Sequence, residues 1–307
     1  MLWDPASPAE APLYILVRWL SFSAIVLAIG ALLFPRVVGG TLRSLGASLT
    51  FLAVETATRR VAVAAAIAVA AGALLRVAMQ RMALNAAFAP DVIPWRDVVT
   101  GTFALGLWLQ LAGAALALGA TKTIGMTRTA LTSLAITAMA LGPGMSGHAA
   151  AGTPVGLTLA ADAAHVLTAG TWVGMLAILL LVAMPIIRAR EPDTCAPATR
   201  AMIAAFSPFA LGSVGLLVAS GVFAGWRLVG SWEALFNTRY GAALLAKVAL
   251  LLVMMGFGAL NWRWVGPAAG TPRGLARFRR VSWGELLVAV VVLLITAALV
   301  GRPSPTE

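Results

Sequence analysis

LTLAADAAHVLTAGTWVGMLAILLLVAM, residues 157–184, carries one carboxylate, Asp162, one imidazole, His165, and no Lys or Arg. As a helix rising about 1.5 Å per residue it reaches about 42 Å, more than the roughly 30 Å hydrocarbon core of a bilayer. Seven further windows are comparably apolar: 13–34, 60–79, 98–119, 129–147, 203–228, 241–262 and 283–300. The second is Ala-rich, interrupted by Arg76, and the weakest of the eight. None alternates apolar and polar residues as the strands of a membrane β-barrel do. The expectation is an all-α, polytopic transmembrane helical bundle of about eight spans.

Composition agrees. Of 307 residues, 61% are hydrophobic and 11% charged, with a mean hydropathy of +0.93. Soluble domains carry about 25% charged residues, so a soluble globular protein is excluded. The net charge of +11 does not point to nucleic acid, because apolar runs separate the basic residues. In a membrane protein such residues report orientation. Odd-numbered connections hold 14 Lys and Arg against 8 on the opposite side, and the 148–156 connection holds none. Both termini are therefore expected outside. The basic stretch 264–281 is expected to lie as a loop along the inner lipid surface, and 35–59 and 80–97 are long enough for short interfacial helices. Met1 to Pro12 holds Asp4 and Glu10 but no basic residue, unlike a cleavable signal, so the first span is expected to be retained.

The single cysteine, Cys195, excludes an intramolecular disulfide and Cys-pair metal or redox motifs. P-loop, HExxH, GxSxG and haem-attachment CxxC patterns are absent from the sequence. ATP-driven and hydrolytic chemistry therefore have no foothold, and the chain reads as a non-enzyme.

The candidate metal residues are few. Asp162 and His165 lie three apart on one helix face, continued by Thr168 and Trp172. A carboxylate one turn from an imidazole can fix its tautomer, raise its basicity or supply a second ligand. Ionisable groups within a span usually face the bundle interior. His148 lies in GPGMSGHAAAG at the outer end of the fourth span, with Met145 three residues earlier and Met139 two turns deeper. Thioether and imidazole together suit copper, although methionine also fills packing gaps. Gly142, Pro143 and Gly144 are expected to loosen the last turn of that span. Lys247 either snorkels to the headgroups or pairs with Asp162; Glu285 is expected to pair with the basic residues at 273–280.

Five stretches carry a resemblance: SGHAAAG (146–152), ADAAHVLTAGTWVGML (161–176), SPFALGSVGLLVASGVFAGWRLVGS (207–231), RYGAALLAKVALLLVMMGFGALNW (239–262) and RRVSWGELLVAVVVLLITAAL (279–299). In this order they resemble the copper-resistance protein D (CopD) family of inner-membrane proteins. The resemblance divides the chain into N-terminal membrane helices, 1–130, and a CopD-like membrane domain, 131–307. It implies copper uptake into the cytoplasm, often beside a periplasmic copper-binding partner of the CopC type. The implied metal contacts are His148, His165 and Asp162, with Trp172 and Lys247 as matching positions. Unlike the family pattern, the chain is poor in histidine and has no Met- or His-rich periplasmic segment.

Two alternatives stay open at the level of sequence. One is an accessory or structural subunit of a larger membrane complex without metal function. The other is a bis-histidine haem b electron-transfer protein using His148 and His165, which a Soret band would reveal.

Overall fold

The computed structural model describes residues 11–44, 48–88, 91–147 and 154–306. His148 lies outside them. The described chain forms ten helices: α1 (Pro12–Ser44), α2 (Ser48–Ala87), α3 (Trp95–Thr100), α4 (Thr102–Thr121), α5 (Gly125–Met145), α6 (Val155–Arg190), α7 (Cys195–Val229), α8 (Trp232–Asn237), α9 (Arg239–Ala268) and α10 (Pro272–Leu299). No strand occurs among the described residues. The helical bundle read from the apolar windows is what forms.

Seven of these helices, α1, α2, α4, α6, α7, α9 and α10, are long and apolar enough to cross a membrane. The fourth window corresponds to α5, which is not in that set. Its 21 residues include Arg128 and several threonines. Yet α5 runs antiparallel beside α4 over its whole length. Leu131 faces Gly119, Met139 faces Gly113, and Ser146 beyond its end faces Gly106. A helix matched end to end with a spanning neighbour crosses the same slab, so we count α5 as the fourth of eight spans.

α6 is the central element. In its most apolar window 72% of residues are buried inside the protein, against 6% in α9, which leaves α9 at the periphery. α6 meets α1 where Gly30 touches Gly174; a Cβ on Gly30 would lie 2.1 Å from the carbonyl carbon of Gly174. Gly170 likewise presses on Ile29. Small residues allow such backbone approach between membrane helices. Around this crossing Ile25, Ile29, Met175, Ile178, Leu179 and Met202 are almost fully buried. Two wider π-helical turns interrupt α6, at Gly170–Gly174 and Leu179–Ala183, and a third occurs in α9 at Asn261–Val265. Such turns recur at functional sites.

Two expectations need correction. The basic stretch 264–281 is not an interfacial loop: α9 continues to Ala268 and α10 starts at Pro272. Thr271 caps α10 by accepting from the Gly274 amide at 3.1 Å, and proline at the first helical turn loses no needed hydrogen bond. Arginine is a good helix former, so the charge run extends the helix. Residues 35–44 likewise continue α1 through Pro35 and form no separate helix.

Eight crossings place Pro12 and Leu299 on the same side. Reporter fusions after Leu299 and in the 269–271 connection should therefore give opposite signals, with the connection inside. A C-terminus reporting from the same side as 269–271 would mean that one helix does not cross.

Candidate metal site

Asp162 and His165 lie seven and ten residues into α6, about 10 Å and 15 Å from its N-terminal start. Both side chains are half-buried and face neighbouring helices. Asp162 points at Gly144 of α5, where a Cβ would lie 2.7 Å from its Oδ2. Glycine at 144 is thus what leaves room for the carboxylate. Asp162 Oδ2 is buried and has no hydrogen-bond partner among the described residues. An orphaned buried carboxylate oxygen is costly unless something else satisfies it.

His165 faces α7. Its Nδ1 lies 3.2 Å from Ser220 Oγ, and a Cβ on Gly221 would sit 3.3 Å from its Cε1. The Ser220 hydroxyl donates to the Leu217 carbonyl at 3.1 Å, so its only proton is already in use. With that proton in use, the Nδ1–H tautomer of His165 would donate to Ser220 and leave Nε2 as the nitrogen available to a metal. Of the roles open to Asp162, fixing the His165 tautomer by a direct hydrogen bond is not seen among the described residues.

The other candidates separate by position. Met145 follows Gly144 directly and is half-buried at the end of α5. It stands at the depth of Asp162 because its neighbour touches that carboxylate. Met139 is fully buried with its Cγ against Gly113; it packs α4 against α5. Pro143 does not unwind α5, which stays helical to Met145. Lys247 of α9 is the cation whose field acts on both Asp162 and His165. Among the described residues it makes no ion-pair contact with Asp162. Of the two expected arrangements, direct pairing with Asp162 is the one not formed among the described residues.

Glu285 does not pair with the basic residues at 273–280. It is 3% exposed, with Oε1 accepting from Trp172 Nε1 at 2.7 Å and Oε2 from Asn261 Nδ2 at 2.8 Å. The same Asn261 amide donates to Ser282 Oγ at 3.1 Å. The register of α10 turns Glu285 inward, whereas Arg273, Arg277, Arg279 and Arg280 are exposed.

Among the described residues no three His, Cys, Asp or Glu side chains come together as a metal cluster. What is assembled is smaller: an imidazole, a carboxylate oxygen without a partner among the described residues, and a thioether at the same end. An open cavity lies elsewhere, between Leu52 and Ala57 of α2 and Ile186 and Arg190 of α6, at the opposite end of α6 from Asp162. Sequence reasoning missed Ser220, Gly144 and Asn261. The Ser-Gly of SGV in α7 was visible, but nothing in the sequence says which helix it faces.

Residues 200–299 match the family model for copper resistance protein D. The resemblance to the CopD family is borne out over these residues. The CopD match takes in Ser220, Lys247, Asn261, Ser282 and Glu285, and stops short of Asp162 and His165. A curated relative, copper transport protein CutJ of Bacillus subtilis (strain 168), is 33% identical over 168 residues, which are 54% of this chain and 29% of CutJ. The chain matches under a third of that relative's length. No solved structure matches.

If Ser220 holds the imidazole in its ligating tautomer, Ser220→Ala should weaken metal binding by about 10–100-fold, as loss of an outer partner does. Titration of copper into the purified variant measures this. Unchanged affinity would mean that Ser220 only packs.

Proposed function

We propose that the protein binds and transports copper across a bacterial inner membrane in the manner the CopD resemblance implies. Copper enters from the periplasmic side, meets His148 and Met145 at the outer end of α5, and passes to Asp162 and His165. The observation that carries the reading is the unpartnered Asp162 Oδ2, buried one turn from an imidazole whose Nδ1 lies 3.2 Å from the Ser220 hydroxyl. A cation arriving between them gains an anionic oxygen and a free imidazole nitrogen. Both are copper ligands, and Met145 adds the soft sulfur that favours Cu(I).

Lys247 gives the site its reversibility. Its charge counters Asp162 when no copper is present, and it opposes an incoming cation, so copper is held weakly enough to leave. Transport through a membrane site requires this balance of entry and release. First capture is assigned to a periplasmic copper-binding partner of the CopC type, as the CopD resemblance implies. The names of the matched family and of CutJ support the copper assignment.

Copper uptake into proteoliposomes tests the reading. Wild-type protein should load the lumen with copper, and His165→Ala should reduce uptake to the level of protein-free liposomes. Uptake by His165→Ala equal to wild type would contradict it.

A further inference from the structure

Glu285 is the one acidic side chain in α10, and it lies inside the bundle. The groups that face it are Trp172 from α6, Asn261 and Gly258 from α9, and Ser282 from its own helix. The nearest cations along the chain, Arg277, Arg279 and Arg280, are exposed and make no hydrogen bond or ion pair with it among the described residues. A carboxylate at membrane depth without a cation is rare and usually marks an ion or proton pathway.

The hydrogen bonds around it suit two protonation states. As a carboxylate, Glu285 accepts from the Trp172 indole and the Asn261 amide. Asn261 Oδ1, however, is buried without a partner among the described residues. If Glu285 gains a proton on Oε2, the N–H bond from Asn261 to that oxygen breaks. A half-turn of the amide then brings Oδ1 round to accept the new O–H, with the Ser282 hydroxyl free to donate to Oδ1 as well. Each state leaves one amide atom idle, so neither orientation is locked. Both donors to Glu285 also sit in π-helical turns, Gly170–Gly174 and Asn261–Val265, where the helix ladder is already loosened. Glu285 lies five residues, about 7 Å along the helix, from exposed Arg280 at the inner end, a short path for a proton from the inner aqueous side.

We propose that Glu285 is a reversible proton-binding site inside the bundle, and that copper passage through Asp162 and His165 is coupled to it. The proton comes from water on the inner face and returns there; the only bond made or broken is the Oε2–H bond. Coupling runs along α6, which carries Asp162 and His165 one side of the Gly170–Gly174 turn and presents Trp172 to Glu285 within it. This inference rests on the transport reading above.

Infrared titration of the purified protein reads carboxyl protonation without copper. A protonated-carboxyl band should grow as pH falls, vanish in Glu285→Gln, and shift but persist in Trp172→Phe, which keeps the carboxyl and removes one donor. In proteoliposomes, changing the pH on the inner face should change wild-type copper uptake several-fold and leave Glu285→Gln uptake unaffected. A band identical in wild type and Glu285→Gln, with no shift in Trp172→Phe, overturns the proton site. A band lost in Glu285→Gln with the inner-face pH dependence of uptake retained overturns the coupling. Absence of copper uptake by wild type overturns the transport reading and with it the coupling, while the infrared result still decides whether Glu285 binds a proton.

Discussion

Asp162→Asn should reduce copper affinity by more than the about 10–100-fold expected when an outer-sphere partner is lost, and it should do so without lowering thermal stability. The two halves of this expectation have different origins. The affinity falls because an anionic oxygen leaves the ligand set and because the field that attracts a cation against Lys247 disappears. The stability holds because Asp162 Oδ2 makes no hydrogen bond among the described residues, so the variant breaks no polar pair. Breaking a structural pair would cost about 1–3 kcal/mol. Removing an ionisable group from the membrane interior instead relieves a cost of about 2.5–3.5 kcal/mol on insertion scales. Copper titration and thermal unfolding of this one variant separate the cases. A lower unfolding temperature with unchanged copper binding would make Asp162 a structural residue.

Gly30→Val should prevent the bundle from closing. Any side chain at 30 would enter the backbone of Gly174, and Gly174 in turn abuts the Val26 carbonyl. Overpacking a core costs about 1–3 kcal/mol when side chains can move aside; here the obstacle is main chain, so the loss should reach about 3 kcal/mol or more. Gly256 of α9 is the control, because a Cβ there meets nothing within 4 Å. Gly256→Ala should be neutral or stabilising by up to about 1 kcal/mol. Thermal unfolding in detergent measures both. Equal stability of Gly30→Val and wild type would contradict the α1–α6 crossing.

The membrane helices were legible because about 20 apolar residues in a row have few other fates, and the fourth window was recovered as α5 despite its weaker hydropathy. The 264–281 stretch misled because charge was read as a loop signal, although Thr271-Pro272 is a helix start visible in the sequence. The site was half legible. Asp162 and His165 could be placed on one face from their spacing, but spacing within α6 cannot show that α7 supplies Ser220 or that α5 yields room at Gly144. Those depend on how helices far apart in sequence are rotated against one another. Glu285 was misassigned for the same reason: the basic residues near it in sequence point away, and its partners, Trp172 and Asn261, come from two other helices.

On the proposed reading His165 binds copper through its free imidazole nitrogen, beside Asp162. X-ray absorption at the copper edge, on purified protein loaded with one equivalent of copper, tests this most directly. The wild-type spectrum should carry the multiple-scattering signature of imidazole, and His165→Ala should lose part or all of it together with bound copper. An identical spectrum and copper content in His165→Ala would contradict copper binding at His165.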